Sequence, residues 1–188
     1  MSRLKWQAVV AGVGGQGVLF VSRALASSVE PKAGSILISE VHGMAQRGGA
    51  VVSHLKAGPF SGPLVSFGQA DLLLALDPGE AVRNLTYLAP KGHLVVNAPD
   101  LEFLSPKARK ALASFGAQVL TVPATELAGR AGTPKGANVV LLGAAAAVGA
   151  LPVKLKELER AICEGQPQAR AQANQKLLNL GAEAAAQV

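Results

Sequence analysis

A glycine cluster near the start of the sequence, Gly12-Val13-Gly14-Gly15-Gln16-Gly17, restricts the folds that this chain can adopt. The apolar residues 6–11 precede the cluster and predict a buried strand. Residues 18–29 predict a helix that ends before Pro31, and residues 35–39 predict a second strand. A strand, a tight turn, a helix and another strand form one crossover unit, so we expect the two strands to be parallel.

The rest of the chain alternates strands with helices and then becomes helical. Further strands are predicted at residues 50–57, 71–76, 92–97 and 117–122. Further helices are predicted at residues 77–88, 105–115, 124–131, 138–149, 153–163 and 167–187. This order predicts an α/β fold with an open, mainly parallel sheet, helices on both faces and a helical carboxyl-terminal segment. We expect residues 1–188 to form a single domain, because no linker or repeat interrupts them.

The first glycine loop, residues 12–17, has the spacing Gly-x-Gly-x-x-Gly between a strand and a helix. Glycines allow close backbone approach, and a helix amino terminus presents unpaired N–H groups and a positive dipole end, so an anion such as a pyrophosphate fits there. The candidate cofactor-binding residues are Gly12, Gly14, Gly15, Gln16 and Gly17. The same glycines also occur in turns that only let a helix pack closely on a sheet.

Glu40 adds a rival interpretation of this loop. It ends the second predicted strand, about where dinucleotide enzymes place the acid that binds the ribose. An NAD(P)-binding oxidoreductase is therefore one alternative function, and a nucleotide-sensing module is another. The first alternative predicts a catalytic base or a substrate domain, and the sequence reveals neither.

A second glycine loop, residues 39–49, follows the second predicted strand and contains His42-Gly43-Met44-Ala45-Gln46-Arg47-Gly48-Gly49. Loops that leave adjacent strands of a parallel sheet meet in one crevice, so we expect it to face the first glycine loop. The imidazole of His42 can donate or accept a hydrogen bond, and the guanidinium of Arg47 offers a fixed cationic fork for a carboxylate or a phosphate. Alone, His42 is equally explained by a loop hydrogen bond, and Arg47 is more often a salt-bridge or interface residue than a ligand contact, but together they indicate a contact surface. The candidate residues for contact with substrate or another subunit are His42, Met44, Gln46, Arg47, Gly48 and Gly49.

The composition argues against several function classes. The net charge is +6, but Lys and Arg are mostly scattered singly, so an anionic small molecule or an acidic protein is expected rather than nucleic acid. The single cysteine, Cys163, provides neither an internal disulfide nor the four thiolates of an iron–sulfur site. No catalytic residue and no metal-binding spacing is predicted. We also expect a cytoplasmic protein without membrane contact, because no signal peptide and no membrane-length apolar run is visible.

The two glycine loops together resemble the gamma-type domain of pyruvate and other 2-oxoacid:ferredoxin oxidoreductases. The segment Ala70-Asp71-Leu72-Leu73-Leu74-Ala75-Leu76-Asp77-Pro78 and the helix start Asn138-Val139-Val140-Leu141-Leu142-Gly143 resemble later parts of the same domain. These landmarks run from about residue 7 to residue 180. The second glycine loop is similar to that of the indolepyruvate branch, in which this domain is a separate beta subunit.

The resemblance implies oxidative decarboxylation of a 2-oxoacid, with electrons passed to ferredoxin and an acyl-coenzyme A as the product. Thiamine diphosphate, magnesium and 4Fe-4S clusters are then expected in the partner alpha subunit. This chain lacks the Gly-Asp-Gly…Asn segment and the cysteines that usually hold them. It is expected to hold no cofactor itself, to meet ferredoxin only through the complex, and to contribute to the coenzyme A site. Asn138 joins the candidate contact residues on the same ground.

Overall fold

The protein is described by a computed structural model that covers residues 4–43 and 48–187. Its strands are β1 (Trp6–Val13), β2 (Ile36–His42), β3 (Ala50–Ala57), β4 (Ala70–Ala75), β5 (Leu88–Asn97) and β6 (Gln118–Val122). Its helices are α1 (Val18–Ala33), α2 (Pro78–Asn84), α3 (Pro106–Ser114), α4 (Ala124–Arg130), α5 (Ala137–Ala147), α6 (Leu155–Cys163) and α7 (Gln168–Ala185). Short 3-10 turns, Leu85–Tyr87 and Pro134–Gly136, precede β5 and α5.

The strands form one mixed sheet with the order β2-β3-β1-β4-β5-β6. The pairs β1–β4, β4–β5 and β5–β6 are parallel, whereas β3 is antiparallel to both of its neighbours, β1 and β2. The predicted α/β class with a mainly parallel sheet is therefore confirmed. β1 and β2 run in the same direction, as expected, since each is antiparallel to β3. They are not neighbours, however, because β3 follows β2 after a short loop, folds back on it as a hairpin and takes the place beside β1.

Helices cover both faces of the sheet, as expected, because the central strands are apolar on both sides. In β4, Leu72, Leu73 and Leu74 are all fully buried. Helices α1, α4, α5, α6 and α7 pack on one face, which we call the first face, and α2 and α3 pack on the second. Burial of each such leucine stabilises the fold by about 1.5–3 kcal/mol relative to its exposure.

Two glycines let α5 and α7 touch backbone to backbone. A Cβ atom at Gly143 in α5 would overlap the carbonyl oxygen of Leu178, and one at Gly181 in α7 would overlap that of Val140. Most of α5 is buried, which is expected of a helix that is apolar on all sides. Within the part of the chain that the structure describes, no helix is both long and apolar enough to cross a membrane.

Two predicted helix ends are wrong. α1 continues through Pro31 to Ala33, because a proline in the last turn removes only one hydrogen bond. Gly34 then ends α1 in the left-handed conformation, and its N–H donates to the Glu30 carbonyl over 2.9 Å. The second predicted helix stops at Asn84 instead of residue 88, because the apolar residues after it enter the 3-10 turn and the start of β5.

A buried histidine holds the segment that covers β3 on the second face. His54 is 3% exposed, and its Nδ1 accepts a hydrogen bond from the backbone N–H of Val65 over 3.3 Å. Its ring meets the ring of Tyr87 edge-on, with 5.0 Å between the ring centres. Burial lowers the pKa of His54, and the nearby charge of Lys56 lowers it further.

We expect His54 to make folding sensitive to acid. The ordinary pKa of the imidazole is 6.5 and its folded pKa is lower, so the unfolded chain binds the proton first. The stabilising contribution of the neutral ring is complete above the ordinary pKa and is lost as the pH falls through the folded pKa.

Urea unfolding at several pH values, for the native protein and His54→Phe, measures this effect. The variant should lose about 1–3 kcal/mol at neutral pH, because the Val65 N–H loses its acceptor, and should depend less on pH. Equal pH dependence in the two proteins would contradict the assignment.

Candidate functional site

The two glycine loops meet at the carboxyl edge of the sheet. β1 ends there at Val13, β2 ends at His42, and β3 begins there, with Val51 paired to both Gly12 and His42. The backbone N–H of Gly14 donates to the carbonyl of Gly49 over 2.9 Å. The loops therefore converge as expected, although the intervening antiparallel strand β3, rather than direct pairing of β1 and β2, brings them together.

Gln16 holds the first glycine loop in shape from within. Its side-chain oxygen accepts a hydrogen bond from the Val13 N–H over 2.8 Å, and its own N–H donates to the Val13 carbonyl over 3.1 Å. The sequence placed Gln16 among the candidate ligand-binding residues. In the structure its amide oxygen is already used inside the loop, so its observed contacts position the loop.

Asn138 connects this loop to α5. Its Nδ2 donates to the carbonyl of Gln16 over 3.3 Å, and the residue is 9% exposed. Gly17 lies against it in the left-handed conformation, with φ 89° and ψ 30°, and a Cβ atom there would overlap Asn138 Nδ2. Gly17 is thus required twice, by the turn and by the approach of Asn138. The structure brings together two candidate sites that lie far apart in the sequence.

Two backbone N–H groups of this loop have no acceptor in the part of the chain that the structure describes, namely those of Gly15 and Gly17. Gly15 is exposed with φ 96°, and a Cβ atom there would meet no atom of residues 4–43 or 48–187 within 4 Å. The N–H groups of the first turn of α1 follow, and no described side chain caps the amino terminus of this 16-residue helix. The arrangement presents a positive potential, which suits an anionic group.

The loop also lies at the switch point of the sheet. α1 leaves β1 on the first face, whereas α2 leaves the neighbouring strand β4 on the second face. Between two strands whose connections diverge in this way, open α/β sheets leave a crevice in which ligands bind. Asp77 borders the crevice, and its carboxylate caps α2 by accepting from the Glu80 N–H over 3.0 Å.

The position of Glu40 does not suit a dinucleotide enzyme. β3 separates β2 from β1, so Glu40 stands two strand spacings, roughly 10 Å, from the strand that carries the first glycine loop. In dinucleotide-binding sheets the strand with the ribose-binding acid is the direct neighbour of β1. The NAD(P) interpretation therefore loses the residue that supported it.

The comparison with known proteins gives the family. The family model of pyruvate ferredoxin/flavodoxin oxidoreductase matches residues 7–184. The chain belongs to this family. It is 32% identical over 188 residues to indolepyruvate oxidoreductase subunit IorB of Archaeoglobus fulgidus, with 92% of each chain covered. The resemblance that the glycine loops indicated is thus confirmed.

Two solved structures share the fold of this oxidoreductase family member. The gamma subunit of a keto/oxoacid ferredoxin oxidoreductase from Geobacter sulfurreducens has a TM-score of 0.74 at 26% identity, with 97% of this chain and 99% of that one covered. The 2-oxoglutarate:ferredoxin oxidoreductase of Magnetococcus marinus has a TM-score of 0.77 at 16% identity. There the match covers all of this chain but 32% of the other, so the same fold forms part of a longer chain.

The structure describes only some of the remaining predicted site residues. Met44, Gln46 and Arg47 lie outside the described residues. His42 is exposed at the end of β2, and Gly48, with φ 69°, is exposed where the chain turns into β3. Both therefore border the surface of the site.

One hydrogen-bonded pair at the same edge was missed in the sequence. The Asn97 side chain donates to the Leu76 carbonyl over 3.2 Å and to Thr125 Oγ1 over 2.8 Å, and its oxygen accepts from the Thr125 N–H over 3.2 Å. This pair ties the ends of β4 and β5 to the start of α4. An asparagine at a strand end was its only sequence signal, and its partners are set by the tertiary fold.

The thiol of this family member is not activated. Cys163 is half-buried in α6, and its Sγ contacts the Ala171 carbonyl over 3.5 Å. Burial raises the pKa of this thiol, and the charge of Glu159 raises it further, which disfavours the reactive thiolate.

In residues 4–43 and 48–187, no group of three His, Cys, Asp or Glu side chains is arranged to hold a metal ion.

Proposed function

We propose that this chain is the accessory subunit of an indolepyruvate-type 2-oxoacid:ferredoxin oxidoreductase, and that its glycine loops contribute to the site for coenzyme A. The observation that carries the proposal is that the Gly14–Gly49 hydrogen bond joins the two loops next to the N–H groups of Gly15 and Gly17, which have no acceptor among the described residues. The Archaeoglobus relative, which matches over nearly its full length, is named as an indolepyruvate oxidoreductase subunit. The Magnetococcus structure is described with coenzyme A bound, and its likeness to this chain supports the fold alone.

The residues present fit a phosphate-bearing ligand such as coenzyme A, and they do not fit an iron–sulfur cluster. The exposed Gly15 and the amino terminus of α1, which no described side chain caps, suit an anionic oxygen cluster. An iron–sulfur cluster needs several thiolates, and the sequence has only the half-buried Cys163. We therefore assign the clusters to the larger alpha subunit. We assign thiamine diphosphate and magnesium there too, because this chain lacks the Gly-Asp-Gly…Asn segment that usually holds them, and contact with ferredoxin to the assembled complex.

This chain would then act by binding and orientation. The N–H groups of Gly15 and Gly17 would donate to phosphate oxygens, while Gln16 and Asn138 keep the loop in the shape that aims these donors. A donor array that is already fixed loses little entropy when the ligand arrives, which favours affinity. No bond to substrate is made or broken by the described residues of this chain under the proposal.

The purified chain is expected to be colourless and unable to oxidise any 2-oxoacid alone. Mixed with its larger subunit, it should restore reduction of ferredoxin by indolepyruvate and coenzyme A. The matched control is the larger subunit by itself, which should show the cofactor absorption but little activity. Oxidation of a 2-oxoacid by the isolated chain, or full activity of the larger subunit without it, would contradict the proposal.

A further inference from the structure

An apolar groove lies at the amino edge of the sheet, on the side opposite the glycine loops. It has a volume of about 560 Å³ and runs between α3 and the segments around residues 67–69 and 85–90, where β4 and β5 begin. It is lined by Ala108, Ala111 and Leu112 of α3, which share one side of the helix, and by Phe115, the residue that follows the helix. The two alanines leave the space that forms the groove.

Two aromatic side chains at the groove are largely exposed to solvent. Phe67 is 71% exposed and Phe115 is 59% exposed, and both line it. Phe67 leans on Tyr87, with 5.0 Å between the ring centres, and Tyr87 in turn meets the buried His54. The ring of Phe67 is therefore supported from behind. Rigid, exposed aromatic rings beside a small apolar pocket are typical of the centre of a protein–protein contact.

The chain segments that line the groove contribute only positive charges. The segments 66–69, 85–91 and 106–118, which contain its lining residues, carry Lys91, Lys107, Arg109 and Lys110 and no Asp or Glu. Lys107 precedes Ala108 and lies one turn before Ala111, so it flanks the opening along α3. Lys91 stands at the other end, beside Phe115. Positive charges at both ends suit a row of acidic side chains better than the single head group of a small molecule.

The backbone at Lys91 is strained in a way that fits this role. Among the described residues, Lys91 is the only one other than glycine with a positive φ, 62°. Its N–H donates to the Phe115 carbonyl over 2.9 Å. The pairing of β4 with β5 is irregular here, passing from Ala70–Leu88 to Leu72–His93, so the chain bulges out at Lys91. Strain of this kind persists where the surrounding structure enforces it, and it concentrates at functional positions.

We infer that this groove docks a segment of the larger subunit in which apolar side chains are flanked by Asp or Glu residues. The inference rests on the proposed function, since it names the surface through which the accessory subunit is held. The glycine loops then remain free for the ligand, because they lie at the other edge of the sheet. In the Magnetococcus protein the same fold is part of a longer chain, whereas a separate subunit must be held by its surface alone.

The test measures the dissociation constant between the full chain and the purified larger subunit by titration calorimetry. Phe67→Ser and Lys107→Glu should each raise the dissociation constant by about tenfold or more, and added salt should weaken the native complex. Neither change should alter the thermal midpoint much, because both side chains are exposed. Lys91→Gly should leave the midpoint equal or higher, since glycine adopts this φ without strain, yet should also weaken binding.

Two control variants test other surfaces. Ile38→Ser removes an apolar side chain, 37% exposed, from the open edge strand β2, and Lys156→Glu reverses an exposed charge on α6. Both should bind like the native chain. Normal binding by all three groove variants would overturn the inference, and loss of binding in Ile38→Ser alone would place the interface at β2. Neither of these two results would contradict the proposed role as an accessory subunit. If the native chain does not bind the larger subunit at all, the proposed function fails and this inference fails with it.

Discussion

Replacement of Gly181 by alanine is expected to lower the free energy of unfolding by about 3 kcal/mol. The added methyl group would occupy the position of the Val140 carbonyl oxygen, so α5 and α7 must move apart. Because α5 is mostly buried and packs on the first face of the sheet, this movement would loosen several contacts at once. Urea unfolding followed by circular dichroism measures the loss.

Gly129→Ala is the matched control for this change. Gly129 also lies within a helix, α4, but a Cβ atom there meets nothing within 4 Å. Alanine should therefore stabilise the protein by about 0.5–1 kcal/mol, as it does at an unobstructed helical glycine. If Gly181→Ala behaved like Gly129→Ala, the close approach of α5 and α7 would be wrong.

The contact at Gly181 also shows why the packing of helices against each other could not be predicted from the sequence. The apolar pattern of residues 138–149 predicted a helix, and α5 lies there, at Ala137–Ala147. Which residue of a later helix would touch it depends on the crossing of two elements, and no local pattern carries that information. By contrast, local signals predicted the strand at residues 71–76 and the start of the next helix near residue 77, because these depend on neighbouring residues alone.

The sheet order was missed for a related reason. Alternation in residues 50–57 predicts a strand but says nothing about its partners, and the crossover rule for β1 and β2 assumed that no strand would come between them. The hairpin of β2 and β3 overrides that assumption. Convergence of the two glycine loops was still predicted correctly, because β1 and β2 run in the same direction and therefore end at the same edge.

The backbone conformation of the candidate site could be predicted from its glycines. The contacts of its side chains with residues far away in the sequence could not. The residue types of the first glycine loop indicated open N–H groups, and the structure has them at Gly15. The sequence of the first glycine loop could not show that the side-chain oxygen of Gln16 would accept a hydrogen bond from the Val13 N–H. Asn138 was named only through the family resemblance, because it reaches Gln16 across 122 positions of sequence.

Replacement of Gly17 by alanine is expected to raise the Michaelis constant for coenzyme A at least about tenfold in the complex with the larger subunit. The methyl group would overlap Asn138 Nδ2, and the positive φ would become strained, so the loop could no longer aim its N–H groups at a phosphate. A tenfold change corresponds to about 1.4 kcal/mol, which is within the range for loss of one hydrogen bond to a charged group. Steady-state rates at varied coenzyme A concentration measure it.

Gly34→Ala separates this effect from simple destabilisation. Gly34 caps the other end of the same helix, α1, with a positive φ of 72°, and a Cβ atom there meets nothing within 4 Å. Both variants should therefore lose about 1–2 kcal/mol of stability from backbone strain, but only Gly17→Ala should change the Michaelis constant. The double variant Gly17→Ala with Asn138→Ala removes the overlap and should recover part of the affinity. If Gly17→Ala and Gly34→Ala have the same Michaelis constant as the native complex, the first glycine loop is a structural turn and coenzyme A binds elsewhere.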